Sequence, residues 1–235
     1  FNDDFFSKHF SYLNILNGVN TETISHPVGK KRSWTGVSQR PYPALAALYA
    51  AVKGKNLPMS YYSAGGYDFS ANLVHSSRIP RPEVIKDLAD PNAVGRKQYF
   101  DDETFTLLRN FIRQRSDGLR TNAKGANNLP QEQVAASQMY CAHLNAQHLK
   151  SLENINFNNL GGDIYRQQAR LIVAAYKAGL TGSANIVLPG FDTHSNHDGR
   201  HENHLKRLFD TVNFLMEEAR EINNNLIVVI GSDFG

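Results

Sequence analysis

Between an apolar run at 184–188 and a long amphipathic stretch the chain reads Gly190-Phe191-Asp192-Thr193-His194-Ser195-Asn196-His197-Asp198, which places two imidazoles and two carboxylates within a few residues. A second acidic turn, Gly231-Ser232-Asp233-Phe234-Gly235, closes the sequence. Asp192, His194, His197 and Asp233 together offer a mixed nitrogen and oxygen donor set. Such a set suits zinc, manganese or iron better than an all-oxygen calcium cage. A lone Asp-x-His more often lies in a solvated loop. Four of the nine histidines, however, fall between residues 194 and 204, and that density favours a metal. His201 and His204 are read as surface residues, and His75, His143 and His148 as structural ones.

Reactive side chains also concentrate between Ser25 and Gly36, where hydroxyls, one imidazole and the cations Lys30, Lys31 and Arg32 alternate. Cations and backbone amides there would hold a phosphate or sulfate ester. An activated hydroxyl or a metal-bound water would attack it. Read without its neighbours, the stretch is more simply a basic surface loop packed on Trp34.

The elements that must position these groups follow from periodicity. Apolar runs at 184–188 and 226–230 read as strands, each handing over to one of the acidic turns, and a helix between them spans about 202–221. Strand, helix and strand in that order imply a crossover between parallel neighbours, with both turns at one sheet edge. Further strands are expected at 10–18 and 58–62. Helices are expected at 43–52, 82–88, 102–115, 130–152 and 163–178, with 63–100 an excursion from the core. The order predicts an α/β fold, a three-layer α/β/α sandwich around a largely parallel sheet.

With 235 residues and 41% hydrophobic content, one large domain can be packed. A formal charge of +3 with scattered basic residues carries no footprint of nucleic-acid binding. The single cysteine, Cys141, excludes an internal disulfide and reads as a small buried filler. No apolar run approaches the roughly 20 residues that cross a bilayer. A sequence opening on Phe1 and ending on an apolar run and half a turn reads as a fragment lacking both ends.

Taken together, Gly-Phe-Asp-Thr-His at 190–194, Val-Ile-Gly-Ser-Asp-Phe-Gly at 229–235, and the early Ser25-His26 with Thr35-Gly36 resemble the bacterial domain-of-unknown-function fifteen-oh-one family. That family is a branch of the alkaline phosphatase and sulfatase superfamily. The resemblance implies an alkaline-phosphatase-like fold and a divalent metal, zinc first, with calcium, manganese or magnesium as alternatives. It implies Asp192, His194 and Asp233 as ligands, with His197 a candidate substitute for the ligand that Phe234 replaces. It also implies Ser25, His26, Arg32 and Thr35 at the ester; anchoring on Pro27 makes Ser25 the nucleophile, and counting back from Thr35-Gly36 makes it His26. The implied substrate is a small-molecule or glycan ester, and the implied location is the periplasm or cell surface. A non-catalytic binding protein on the same fold is the alternative. A metal-free carbohydrate-active protein, resting on the aromatic segment from Tyr61-Tyr62 to Tyr67, is a third.

Overall fold

The computed structural model describes residues 2–38, 42–93, 97–121, 129, 131–132, 135–137, 139–140, 148–223 and 225–233. The chain divides into two compact units, Phe1–Pro82 with Asn156–Gly235, and Glu83–Ile155. The fold is mixed α/β.

The first unit is built on a parallel sheet that has three strands among the described residues, in the order β2-β1-β3: β1 is Tyr61–Ala64, β2 Ser76–Arg78 and β3 Ser183–Ile186. Tyr61 pairs with Ser76 on one side and Ser183 on the other. All four β1 residues are buried, as a central strand covered on both faces requires. Tyr61 packs against Ala44, Ala47 and Ala50. The last two lie three residues apart on helix α3 (Leu45–Lys53). Small side chains at that spacing let the helix lie close to the sheet. Tyr62 donates its phenolic proton to Ile79 O at 2.9 Å, and burial holds that phenol well above its ordinary range, so it stays a neutral donor.

Among the described residues, four more helices belong to this unit. Helix α1 (Asn2–His9) carries Asp3 and Asp4 in its first turn, and both are exposed. Helix α2 is His26–Thr35. Because unit two intervenes, the remaining two are numbered after its helices, α4 (Val84–Ala89) and α5 (Asp102–Thr121): they are α6 (Ile164–Lys177) and α7 (His197–Glu221). The α6 start is capped by Asp163, whose Oδ1 accepts from the amides of Tyr165 and Arg166. Helices α6 and α7 are joined by a short ion pair, Arg170 Nη2 to Glu218 Oε1 at 2.7 Å, with the Arg170 guanidinium also over the Phe214 ring. Helix α1 docks on α7 by stacking Phe5 on Phe209, with ring centroids 4.5 Å apart, and through a Lys8–Glu217 ion pair.

In the second unit, α4 packs against a 3-10 turn at His148–Leu152, burying Ile85 and Leu152. Asp101 caps α5 by accepting from Thr104 N at 2.8 Å. Cys141 and His143 lie outside the described residues, and so does much of the helix expected at 130–152; residues 131, 132, 135–137, 139 and 140 are helical.

Several sequence-based expectations are corrected. The strand expected at 10–18 is a 3-10 turn at Phe10–Tyr12 followed by residues unpaired to the sheet. The strand expected at 226–230 likewise joins no sheet among the described residues, and Ile227, Val229 and Ile230 are at least half exposed. Apolar alternation makes a segment fit for a strand, but a strand exists only where another backbone takes its amides and carbonyls. The stretch 25–36, read as a polar loop, is helix α2 from His26 to Thr35. Residues 76–78, inside the expected excursion, form the edge strand β2. Tyr61 and Tyr62 lie wholly in the core, which removes both from the aromatic sugar platform.

Two outcomes are expected. Arg170→Ala, which strands the Glu218 carboxylate at 16% exposure, lowers unfolding free energy by roughly 2–3 kcal/mol in urea titration, less than a fully buried pair because both groups retain some water. The Lys8 ammonium beside Glu217 holds that carboxyl below its ordinary value near 4.5. A depressed carboxyl stabilises the fold above its unfolded value and loses that contribution as pH falls through the folded one. The melting-temperature gap between wild type and Lys8→Met should therefore be full at pH 7 and shrink below about pH 4.

Candidate functional site

Helix α2 organises the site. Its start is favoured by Pro27 in the first turn, and its end by Gly36, which takes the left-handed conformation at φ 72° and donates its amide to Arg32 O at 2.7 Å. One side of the helix lies against the chain's last turn. A Cβ on the buried Gly29 would sit 3.2 Å from Asp233 Cβ, and one on Gly231 would sit 3.0 Å from the Trp34 ring. Ser33 Oγ donates to Ser232 O at 3.2 Å. Each residue from Gly231 to Asp233 thus meets a different residue of α2, and glycine is used where the backbones come closest.

That contact delivers Asp233 to His26. Asp233 Oδ2 lies 2.7 Å from His26 Nδ1, with the carboxylate 9% exposed. The other ring nitrogen, Nε2, lies 3.4 Å from Asp192 Oδ2, and Asp192 Oδ1 lies 3.1 Å from His194 Nε2. A single chain of contacts therefore runs His194, Asp192, His26, Asp233. A carboxylate that fixes one nitrogen of an imidazole sets its tautomer and orientation, which leaves the second nitrogen to take or give a proton.

The turn after β3 splits by parity. Asp192 and His194 serve the His26 chain. Phe191 and Thr193 face helix α7 instead. Phe191 packs at 5.7 Å from the His201 ring and 5.4 Å from the His204 ring, and Thr193 Oγ1 lies 2.5 Å from His197 Nδ1. Gly190 begins the turn at φ 102°, and a Cβ there would fall 2.5 Å from the His204 ring. His197 is in this way held by Thr193 and stacked on His201 at 4.9 Å, apart from the Asp192 contacts.

The remaining expected site residues have other duties. Arg32 Nη1 donates to Thr21 O at 2.7 Å and to Glu22 Oε2 at 2.9 Å, which ties the helix to the preceding segment. Thr35 Oγ1 lies 2.7 Å from Lys31 O and accepts from Val37 N at 3.1 Å, serving the helix end. Ser25 precedes α2 in extended conformation, exposed, with its carbonyl taking the Val28 and Gly29 amides and its hydroxyl not used as a cap. Phe234 lies outside the described residues.

The donor types suit a borderline divalent ion, yet in this arrangement each donor is engaged by another donor. Among the described residues no three His, Cys, Asp or Glu side chains are placed to hold a metal ion. The set as arranged does not fit the metal that the resemblance implies. No helix among the described residues is long and apolar enough to cross a membrane. No family model, curated protein or solved structure matches this chain.

Sequence reading missed Gly29, Ser33 and Trp34 as positioning residues. Their only signal was a glycine and a tryptophan spaced along a stretch that lacks apolar periodicity. His26→Ala, which leaves the mostly buried Asp233 carboxylate without its imidazole, is expected to cost about 1–2 kcal/mol in denaturant unfolding. Asp233→Asn, whose amide can still hydrogen-bond the ring, should cost less. Equal and negligible losses in both would show that the pair does not tie α2 to the last turn.

Proposed function

We propose that the chain is a hydrolase of phosphate or sulfate esters carried by small molecules or glycans, built on the alkaline-phosphatase-like, three-layer plan that its motifs resemble. One observation carries the reading: His26 joins the Asp192 turn to Asp233, a residue 207 positions away, so that the three motifs behind the resemblance converge. Asp233 orients the imidazole, and Nε2 becomes the proton acceptor for an attacking hydroxyl. Ser25, exposed one residue earlier, supplies that hydroxyl; its proton passes to His26 as oxygen attacks phosphorus or sulfur, the departing alkoxide takes that proton to leave as alcohol, and water then cleaves the seryl ester to release phosphate or sulfate and restore Ser25.

Two carboxylates repel an anionic ester, and Arg32 is committed to Glu22. The site therefore needs a further positive charge. A divalent cation, zinc first among zinc, calcium, manganese and magnesium, belongs to the proposal for that reason. Asp192, His194 and Asp233 would have to turn from their present partners to hold it. A periplasmic or cell-surface location belongs to the same reading.

The second reading, a non-catalytic binding protein on this fold, is favoured by Arg32 and Thr35 being spent on internal hydrogen bonds. A panel of aryl phosphate and sulfate esters, each assayed with and without Zn²⁺, Ca²⁺, Mn²⁺ and Mg²⁺, separates the two. The hydrolase reading expects turnover that falls about 10²–10⁴-fold in His26→Ala. Absence of turnover under every condition, with ester binding retained, would establish the second reading.

A further inference from the structure

Asn17-Gly18 is the one asparagine–glycine pair in the sequence. It lies between the turn at Phe10–Tyr12 and helix α2, in a stretch, residues 13–20, that belongs to no helix or strand. Both residues are exposed. Gly18 holds φ at 73°, in the left-handed region, and a Cβ built there would meet nothing within 4 Å. Among the described residues, neither the Asn17 side chain nor the Gly18 amide has a hydrogen-bond partner.

An asparagine side chain lies within ring-closing reach of the next backbone nitrogen, and attack from within the same chain has an effective concentration that no solvent nucleophile matches. Two obstacles ordinarily prevent it: a side chain on the following residue crowds the ring, and a backbone held by hydrogen bonds keeps the nitrogen away. Glycine removes the first obstacle at this position, and the unpaired stretch removes the second. Other candidates keep at least one. Asn20 Oδ1 accepts from Glu22 N at 2.8 Å, and the Asn92 side chain holds Phe100, donating to its carbonyl at 2.8 Å and accepting from its amide at 2.9 Å. Asp117-Gly118 and Asp198-Gly199 lie in α5 and α7, where the backbone is held helical.

We propose that Asn17 is a site of spontaneous deamidation, modified in the folded chain by water and solvent base. Base takes the Gly18 amide proton, the nitrogen bonds to Asn17 Cγ, and the Cγ–Nδ2 bond breaks as Nδ2 takes a proton and leaves as ammonia. Water then adds to one carbonyl of the resulting succinimide, and the ring nitrogen regains its proton as that carbonyl's bond to it breaks. Opening at Cγ yields aspartate. Opening at the main-chain carbonyl of residue 17 yields isoaspartate, whose backbone runs through Cβ and Cγ. Either product puts a new carboxylate in the connection that precedes α2. Arg32 holds Thr21 and Glu22 beyond the modified pair, so the change is absorbed before it reaches His26, and the fold persists. The site is separate from the hydrolase reading and does not rest on it.

The test is ageing of the purified full chain in mildly alkaline buffer at physiological temperature, with peptide mapping by mass spectrometry. Isoaspartate is detected separately, by enzymatic methylation of its free carboxylate. The peptide that contains Asn17 should gain the mass difference between a hydroxyl and an amine, at least about tenfold faster than any other asparagine peptide, and should become a methyl acceptor. Gly18→Val, whose branched side chain crowds the closing ring, should slow conversion at least about tenfold. Asn17→Gln, whose longer side chain closes a larger ring, should remove the methyl acceptor at this position, and it keeps the test open if the valine variant fails to fold. Far-UV circular dichroism of the aged wild type should match that of the fresh protein. An unconverted Asn17, conversion no faster than at other asparagines, an undiminished rate in a folded Gly18→Val, or loss of helical signal in step with conversion would each overturn the proposal.

Discussion

A carboxylate withdrawn from water has to be met by a proton donor, and Asp233 meets this requirement through His26. Much of the site's geometry follows from that pairing. To bring the ring to the carboxylate, helix α2 must lie directly against the last turn. Gly29 allows the approach near Asp233, and Gly231 allows it at Trp34. Once the ring is held by Nδ1, its other nitrogen points to Asp192, which in turn receives His194. The pairing thus organises two turns that no strand pairing among the described residues brings together. The same engagement leaves each donor committed to another donor, so these side chains would have to rearrange before they could enclose an ion.

The turn after β3 divides its work between two helices. Its even residues, Asp192 and His194, join the chain of contacts that begins on α2. Its odd residues, Phe191 and Thr193, pack against the imidazoles of α7. A cluster that reads as one ligand group in sequence is therefore two groups in space, because the backbone turns tightly at Asp192, with Thr193 N donating to Phe191 O at 3.0 Å. His197 belongs with α7 through Thr193 and His201. The position of α7 itself is set by Arg170 and Glu218 at its far end and by the Phe5–Phe209 stack. Packing at one end of a long helix thereby bears on the chemistry available at the other.

How much was legible varied with the kind of signal. Helices α3, α4 and α6 were read close to their observed limits, and so was strand β3, since local periodicity and capping decide such elements. Asp163 begins its helix as its residue type suggests. Helix α2 was not legible. Its residues make contacts through glycine, serine and a histidine rather than through an apolar stripe, so no periodicity marks it. The apolar runs at 10–18 and 226–230 misled in the opposite sense. Both suit a strand, but pairing is a property of two segments and is absent from either one alone.

The sequence by itself determined the donor types and their grouping: Asp192 with His194 and His197, Asp233 in its glycine turn, and Ser25 with His26. It also determined the α/β character, because alternating apolar runs and amphipathic stretches are local properties. Tertiary structure alone decided that His26 stands between the two carboxylates, that His197 leaves the acidic group for His201, and that Arg32 and Thr35 serve the backbone. The physical reason is range. Periodicity and capping act over a few residues, whereas an imidazole can join residues 26, 192 and 233 only after packing has carried three distant segments into contact.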